Sequence, residues 1–525
     1  MKKFARLILS LLACSIFLTS CSQSGSQGSL SSGSSSSVQS LSSVSEDLKS
    51  KVTLKWLGSY ASYDPNSEYA AKILEEETGY KVEYNLLPSE NANQRLSLEI
   101  SSGNHYDILK LSLAQYAMLA GQGALLALDP YLDAHPSIKE NTDARGWYSV
   151  KQADGKTYGI PEVGTTQLSG SLGYRSDIFE EYGWKEPNTV DEFYQLLKNI
   201  KEKTGKIPLT GNQYLQETIL SGFGVDKYAF EINNGKVQSF LRNPGTRQYL
   251  EYMNKLYTEG LIDVDWPVNK GENITQKMST GDAIMSHMSW TATPTWVRAL
   301  QETVPEAGFK SILPLEDSEG KRHIDPNSGS VIINVIAIPK NSAENADLAV
   351  GMVEARLEKE VWWSFNAGTE GVHYSLSDQG VPIPIQPKYK EDMTNGNYFQ
   401  TSVNVTQHPI TWLSRVAKDE ILYDAWYEMN LKSLDYDYIY DPFAFSSFEA
   451  YDKYNAALAQ KTNDYFLKVI AGTEPVSSYD DFLRSWEQAG GLEYEQGAQE
   501  WYDSNQDIVK LALEAKPSYL DLFKK

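Results

Sequence analysis

Cysteine is nearly absent from these 525 residues: Cys14 and Cys21 are the only two, and both lie at the extreme N-terminal end. No disulfide, thiolate nucleophile or cysteine metal site can therefore form downstream. The six histidines, His105, His135, His287, His323, His373 and His408, contain no i, i+4 pair and no His-Glu-x-x-His, which argues against a histidine zinc centre. Gly-x-Ser-x-Gly is missing, and Gly155-Lys156-Thr157 lacks the earlier glycine of a phosphate-binding loop because Val150 stands there. Positive charge is scarce as well. With 47 basic against 69 acidic residues the net charge is -22, and no basic cluster offsets it, so nucleic acid is an excluded partner. Among 69 acidic residues a carboxylate pair arises by chance, so no pair signals glycoside hydrolysis by itself. Long apolar runs are confined to the first 20 residues, and the rest has no stretch of membrane-spanning length.

What is present begins with a secretory signal. Lys2, Lys3 and Arg6 precede an apolar stretch over 7–18, too short for a permanent span. Its ending, Leu18-Thr19-Ser20-Cys21, resembles a bacterial lipobox, which implies cleavage after residue 20 and acylation of Cys21. Each buried methylene contributes about 0.8 kcal/mol, so several acyl chains make an effectively permanent anchor. Residues 22–45 are almost wholly Ser and Gly and cannot bury enough apolar surface to fold. Such a leash has a root-mean-square reach of roughly 25–30 Å. The chain is thus expected on the outer face of the cytoplasmic membrane, held only by lipid.

Folded sequence starts near residue 51. Val52-Thr53-Leu54-Lys55-Trp56-Leu57 alternates as a strand. Residues 65–78 read as a helix stopped by Gly79, 80–87 as a strand, 91–102 as a helix and 106–111 as a strand. This βαβαβ order implies a parallel, doubly wound sheet whose ligands sit beyond the carboxyl ends of its strands, where Tyr60 and Ser112 fall. In a second α/β region, a helix over 190–203 is opened by the Thr189/Glu192 capping-box spacing and closed by Gly205. Residues 330–338 form a nearly continuous apolar run, as in a strand buried on both faces. The last 110 residues read as mainly helical.

Aromatic residues carry the functional content. Trp290 and Trp296 flank Thr291-Ala292-Thr293-Pro294-Thr295, which reads as an irregular loop directly after a strand over 283–288. Trp412 lies beside Pro409 in a similar stretch. A pyranose offers C–H groups on one face and hydroxyls around its rim, so it suits an indole platform edged by polar groups. One buried aromatic covers about 150–250 Å², a gross gain of about 4–6 kcal/mol before entropy and desolvation are deducted. Trp184, Trp266, Trp362, Trp363, Trp426, Trp486 and Trp501 read as packing residues.

A series of short segments in order resembles the family 1 extracellular solute-binding proteins of ABC importers for oligosaccharides, and more closely their long lipoprotein branch. The segments are Ser102-Gly103 with Asp107-Ile108-Leu109, then Asp154-Gly155-Lys156-Thr157-Tyr158-Gly159-Ile160-Pro161, then Tyr174-Arg175-Ser176-Asp177. Glu259-Gly260-Leu261-Ile262-Asp263, Gly281-Asp282-Ala283-Ile284-Met285, Glu370-Gly371-Val372-His373-Tyr374 and Gly472-Thr473-Glu474-Pro475-Val476 follow. The resemblance implies an α/β, two-lobed periplasmic-binding-protein-like fold of class II, maltodextrin-binding-protein-like, with the ligand cleft between the lobes. It divides the chain into a signal peptide (1–20), an acylated linker (21–50), lobe 1 (51–161 and 329–395), lobe 2 (162–328) and a helical part mainly of lobe 2 (396–525). Trp290 matches the family's stacking tryptophan, Glu162 the first interlobe crossing, Glu370 a cleft-edge turn and Tyr60 a contact after the first strand. Trp147, Arg175, Trp296 and Trp412 complete the expected ligand set. Alginate-binding members carry an Asp/Asn-rich calcium loop after the helix matching 190–203. Here only Thr204-Gly205-Lys206-Ile207 precedes Pro208, with no carboxylate, so no metal or other cofactor is expected.

The reading that follows is a monomeric, non-enzymatic binding component whose ligand is a neutral oligosaccharide and whose partners are the permease subunits of an ABC importer. A binder of peptides or another small solute, and a surface glycoside hydrolase, are the alternatives.

Overall fold

The computed structural model describes residues 49–514, apart from 50, 153, 165–166, 213–216, 227–229, 326–331, 379, 445 and 447. Cys21, its signal and the Ser/Gly leash lie outside the described residues. Thirteen strands occur among the described residues: β1 (Thr53–Gly58), β2 (Lys81–Leu86), β3 (Ile108–Leu111), β4 (Ile160–Val163), β5 (Gly170–Arg175), β6 (Ile207–Leu209), β7 (Phe230–Asn233), β8 (Lys236–Ser239), β9 (Ala283–Ser289), β10 (Phe309–Ile312), β11 (Ile332–Ala337), β12 (Tyr374–Leu376) and β13 (Pro382–Pro384). They form two main sheets, ordered β2-β1-β3-β11-β4 and β10-β5-β9-β6, and two small hairpins.

The βαβαβ expectation holds for the first sheet. β1 pairs in parallel with β2 and β3, joined by helices Tyr69–Thr78 and Ala92–Ser101. Gly79 takes φ 73 and ends the first of these, a left-handed cap that favours glycine. That helix begins later than the periodicity suggests. Asp64 and Pro65 build a separate 3-10 turn, and Glu68 is extended with ψ 149 before helical geometry resumes. The second departure is β11, which runs antiparallel between β3 and β4. It is not buried throughout: Ile333 is 48% exposed, because the pairing with β4 shifts register between Ile332 and Asn334 and leaves Ile333 as a bulge. Residues 330 and 331 lie outside the described set.

Alternation along these strands sorts apolar side chains onto two faces. Leu54, Trp56, Ile108 and Ile336 join one core, whereas Leu57, Leu109, Leu111 and Val335 join another. The second sheet is treated likewise. Leu172 and Ile284 pack with Phe193, Leu197 and Tyr249 on one side, and Met288 packs with Trp296, Leu413 and Trp426 on the other. Helix Val190–Thr204 opens with the expected reciprocal Thr189/Glu192 box and closes on Gly205 at φ 67. Lys206, directly beyond it, donates to the carbonyl of Gly281. Among the described residues no helix is long and apolar enough to cross a membrane.

The described residues from 396 on are mainly helical, as expected, but they serve both halves. Phe399 and Val403 complete the first sheet's core, and helices Glu449–Ile470 and Leu492–Ser504 pack on the second. Helix Gln506–Leu513 then returns: Ile508, fully buried, enters the first sheet's other core, and Tyr148 donates to Asp507 at 2.7 Å.

Candidate functional site

Strand direction fixes where a ligand can sit. β1, β2, β3 and β4 all point one way, so Gly58, Leu86, Leu111 and Val163 share one edge of the first sheet. The chain leaves that edge at Val163 and enters the second sheet at Gly170, and it returns from Ile312 of β10 to Ile332 of β11. Ser289, the last residue of β9, pairs with Gly170, and Ile312 pairs with Leu172, so the entry and exit points share an edge of the second sheet. The first connector, residues 164–169, can reach at most about 25 Å, so the two edges face each other at short range.

Trp290 follows β9 on this edge but is only 8% exposed, packed in the same core as Trp296, so it is not the open platform the sequence suggests. Its ring meets Trp412 edge to face, with centroids 6.1 Å apart and planes at 85°. Trp412 leans over His408 at 5.4 Å, and His408 meets Trp362 at 5.9 Å. Trp362 belongs to the core of the first sheet and Trp290 to that of the second, so one aromatic series joins them. Burial, with Arg415 adding to it, lowers the His408 pKa to about 3 and keeps the ring neutral among the indoles.

The irregular loops expected around these tryptophans are helices. Pro294 sits in the first turn of Thr293–Gln301, and Pro409 in the first turn of His408–Val416. Proline is tolerated there because the N–H it lacks would have no intrahelical partner. The consequence differs between residues. Trp296 points inward, 3% exposed, with its ring 5.6 Å from Phe309, while Trp412 stays half-buried at the junction.

The other expected residues separate. Tyr60, two residues beyond β1, is 56% exposed on the facing edge. Glu162 is enclosed, its carboxylate 2.9 Å from Lys110 Nζ and accepting from Asn334 Nδ2 at 2.9 Å. Arg175 is also enclosed, donating from Nε to Asp177 at 2.8 Å, and it ends β5 at the pole opposite Gly170. At about 3.3 Å per residue that places it about 17 Å from the junction edge. Trp147 is half-buried and donates to Thr142 at 3.1 Å, with Lys139 over its ring. Glu370 is exposed on the turn before β12, and the β12–β13 hairpin packs on the helix that carries Trp412.

Two features escaped the sequence. Gln167, on the first connector, accepts from Trp412 Nε1 at 3.2 Å and from Trp426 Nε1 at 2.7 Å. A second is a cavity of about 30 Å³, water-sized, lined by Gly170, Ser171, Asp226, His287, His323 and Asp325 among others. His323 lies 2.5 Å from Asp226 and 3.1 Å from Asp317. Burial alone would lower its pKa, but hydrogen bonds to both carboxylates outweigh it and hold the imidazole above its ordinary range. Burial, reinforced by Asp325 and Asp226, raises Asp441 to about 7. Polar spacing in the connectors was the only sequence signal, and it is too common to single these residues out. Among the described residues no three His, Cys, Asp or Glu side chains converge as a metal site.

Two α/β halves linked by connectors that start and end on facing edges define a two-lobed binding protein. The chain belongs to the bacterial extracellular solute-binding protein family, whose profile matches residues 61–355, more than half its length. That is a family of binding proteins and not of enzymes. An uncharacterised protein encoded 5' of butB in Niallia circulans is 32% identical over 256 residues, covering 49% of this chain and 98% of that protein. Lipoprotein LipO of Bacillus subtilis is 24% identical over 495 residues, 87% of this chain and 93% of LipO. The fructooligosaccharide ABC transporter substrate-binding protein FusA of Streptococcus pneumoniae is 25% identical over 255 residues, 42% of this chain and 47% of FusA. The structure of FusA with kestose matches with a TM-score of 0.64 at 17% identity, over 87% of this chain and 100% of that one, which is a likeness of fold.

Proposed function

We propose that the chain is the substrate-binding component of an ABC importer, anchored outside the cell through Cys21, and that it holds a neutral oligosaccharide between its lobes. The observation that carries this reading is the Trp290–Trp412 pair at the facing sheet edges, an apolar wall bordered by polar connectors. Half-buried Trp412 presents the wall on one side, Trp290, only 8% exposed, backs it from within the core, and the exposed Tyr60 supplies a ring on the other side. Glu370 and Trp147 lie further out. Glu162, Arg175 and Trp296 hold the framework, since their polar groups or rings are taken up inside the protein.

The names of relatives support the two finer elements. LipO is a lipoprotein and FusA serves a fructooligosaccharide importer. Lobe 1 comprises 51–161 and 329–395, with Glu162 and Val163 kept in it by β4, and lobe 2 comprises the rest of 162–328 with most of 396–525. A ligand that touches both lobes favours the closed arrangement by its differential affinity, and the closed form is the one the permease receives.

Calorimetric titration with a panel of neutral oligosaccharides, beside thermal melts, tests the assignment. At a hundredfold excess over Kd, a bound sugar adds about 2.7 kcal/mol to stability. The expected outcome is a raised melting temperature with the sugar recovered intact. A panel in which peptides raise it and no sugar does overturns the reading.

A further inference from the structure

We propose that Gln167 is the polar specificity residue of the cleft: one end of its carboxamide locks the tryptophan wall, and the other donates to an acceptor oxygen of the ligand. The inference rests on the reading of the junction as a sugar cleft and extends it to a residue that reading does not use.

Gln167 lies within the six-residue connector from β4 to β5, between the facing sheet edges. Its Oε1 receives two N–H groups, from Trp426 at 2.7 Å and Trp412 at 3.2 Å. An indole nitrogen only donates, so the atom facing both rings must be the oxygen, and the orientation of the amide follows from chemistry. Trp426 is wholly buried on helix Glu420–Ser433, whereas Trp412 is half-buried on helix His408–Val416. The buried indole thus anchors the oxygen, and the oxygen fixes the ring that stands edge-on to Trp290. The backbone next to Gln167 is held as well, at Leu168. Leu168 N donates to Asn430 Oδ1 at 2.9 Å, and Asn430 Nδ2 donates back to Leu168 O at 3.3 Å.

With Oε1 turned toward the two indoles, Nε2 is turned away from them, and its two N–H groups meet no acceptor among the described residues. Gln167 is only half-buried, so the unused donor pair is open to the junction beside Trp412. A sugar stacked on an indole presents ring, glycosidic and hydroxyl oxygens around its rim, which are the acceptors such a donor suits. A pre-positioned donor next to an apolar face selects a polar ring over an apolar one, because a ligand lacking the oxygen leaves the N–H pair desolvated and unpaired.

Two substitutions separate the halves of the proposal. Glutamate is acceptor-only when ionised, so Gln167→Glu at pH 8 keeps the lock and removes the donor. Gln167→Met removes both. For the glutamate variant the expected result is unchanged tryptophan emission and melting temperature, with at least a tenfold weaker Kd for the sugar that binds the parent protein most tightly. For the methionine variant it is a shifted emission maximum and a greater loss of affinity. Unaltered affinity in Gln167→Glu overturns the ligand contact, because a purely structural glutamine would be rescued in both readouts. Unaltered emission in Gln167→Met overturns the lock. If the parent protein binds no oligosaccharide, the sugar reading of the cleft and the ligand contact fall together, and the lock is still judged by emission.

Discussion

Lys110 Nζ lies 2.9 Å from Glu162 Oε2, and the same ammonium donates to the carbonyl of Gln400 at 2.7 Å. The pair spans β3 and β4 across the intervening β11, whose Asn334 also donates to Glu162. Removing one partner leaves the other charge buried without compensation, at a cost of about 3–5 kcal/mol. Glu162→Ala is therefore expected to lower stability by that amount in urea titrations. Lys110→Met combined with Glu162→Leu should cost much less, since no charge is stranded.

Trp290, Trp412 and Trp296 should respond differently to substitution. Trp290→Ala and Trp412→Ala are each expected to weaken sugar binding about tenfold or more by calorimetry, a loss of roughly 1.4 kcal/mol or above. Trp296→Phe should leave affinity within twofold and act on the melting temperature, because its ring packs on Phe309. A Trp296 effect on affinity equal to that of Trp290 would contradict the placement of the wall.

Acid strengthens the region around the small cavity. Burial raises Asp441 to about 7 and Glu231 to about 7, and the carboxylates around His323 raise its pKa. Stability from a raised group is fully present below its unfolded pKa and is lost as pH climbs through the folded value. Asp317 is lowered, so its contribution disappears only in stronger acid. Melting temperature should therefore fall from about pH 4 through 7 as the two carboxyls ionise, with His323 extending the fall above its ordinary range. A tenfold change in proton affinity on folding is worth about 1.4 kcal/mol, so the loss is on the order of a few kcal/mol. Asp441→Asn should flatten the profile.

The return of helix Gln506–Leu513 to the first sheet rests on Ile508, which is fully buried there. Ile508→Ala should cost about 2–4 kcal/mol. Hydrogen exchange is expected to quicken over 506–513 while helix Leu492–Ser504 stays protected, since Arg242–Glu495 and Gln499 with the Val237 amide tie that helix to the β7–β8 hairpin and the turn after it.

Local chemistry was legible in the sequence. Gly79, Gly205 and the Thr189/Glu192 box lie within a few residues of what they control, and β1 to β3 read within two residues of their ends. Proline misleads twice. Pro294 and Pro409 read as breaks, yet a proline in a first turn starts a helix, so Trp296 is expected on a surface it does not reach. Long-range pairing is invisible. Gln167 meets Trp412 and Trp426 across 245 and 259 residues, and no local pattern records that. Glu162 is a single carboxylate in the sequence; its partner Lys110 sits on another strand, and only the assembled sheet shows where the charge goes.

The order of the first sheet also constrains how the chain comes together. β4 is an edge strand whose only sheet neighbour among the described strands is β11, nearly 170 residues later. A nascent chain that has delivered β4 holds a strand with nothing to pair, and Ile508 must arrive before the opposite core is filled. The first sheet is therefore complete only when residues near both ends of the chain are present. The first sheet closes on β4 only once β11 is available, so the lobe that begins the chain is completed after the one that interrupts it.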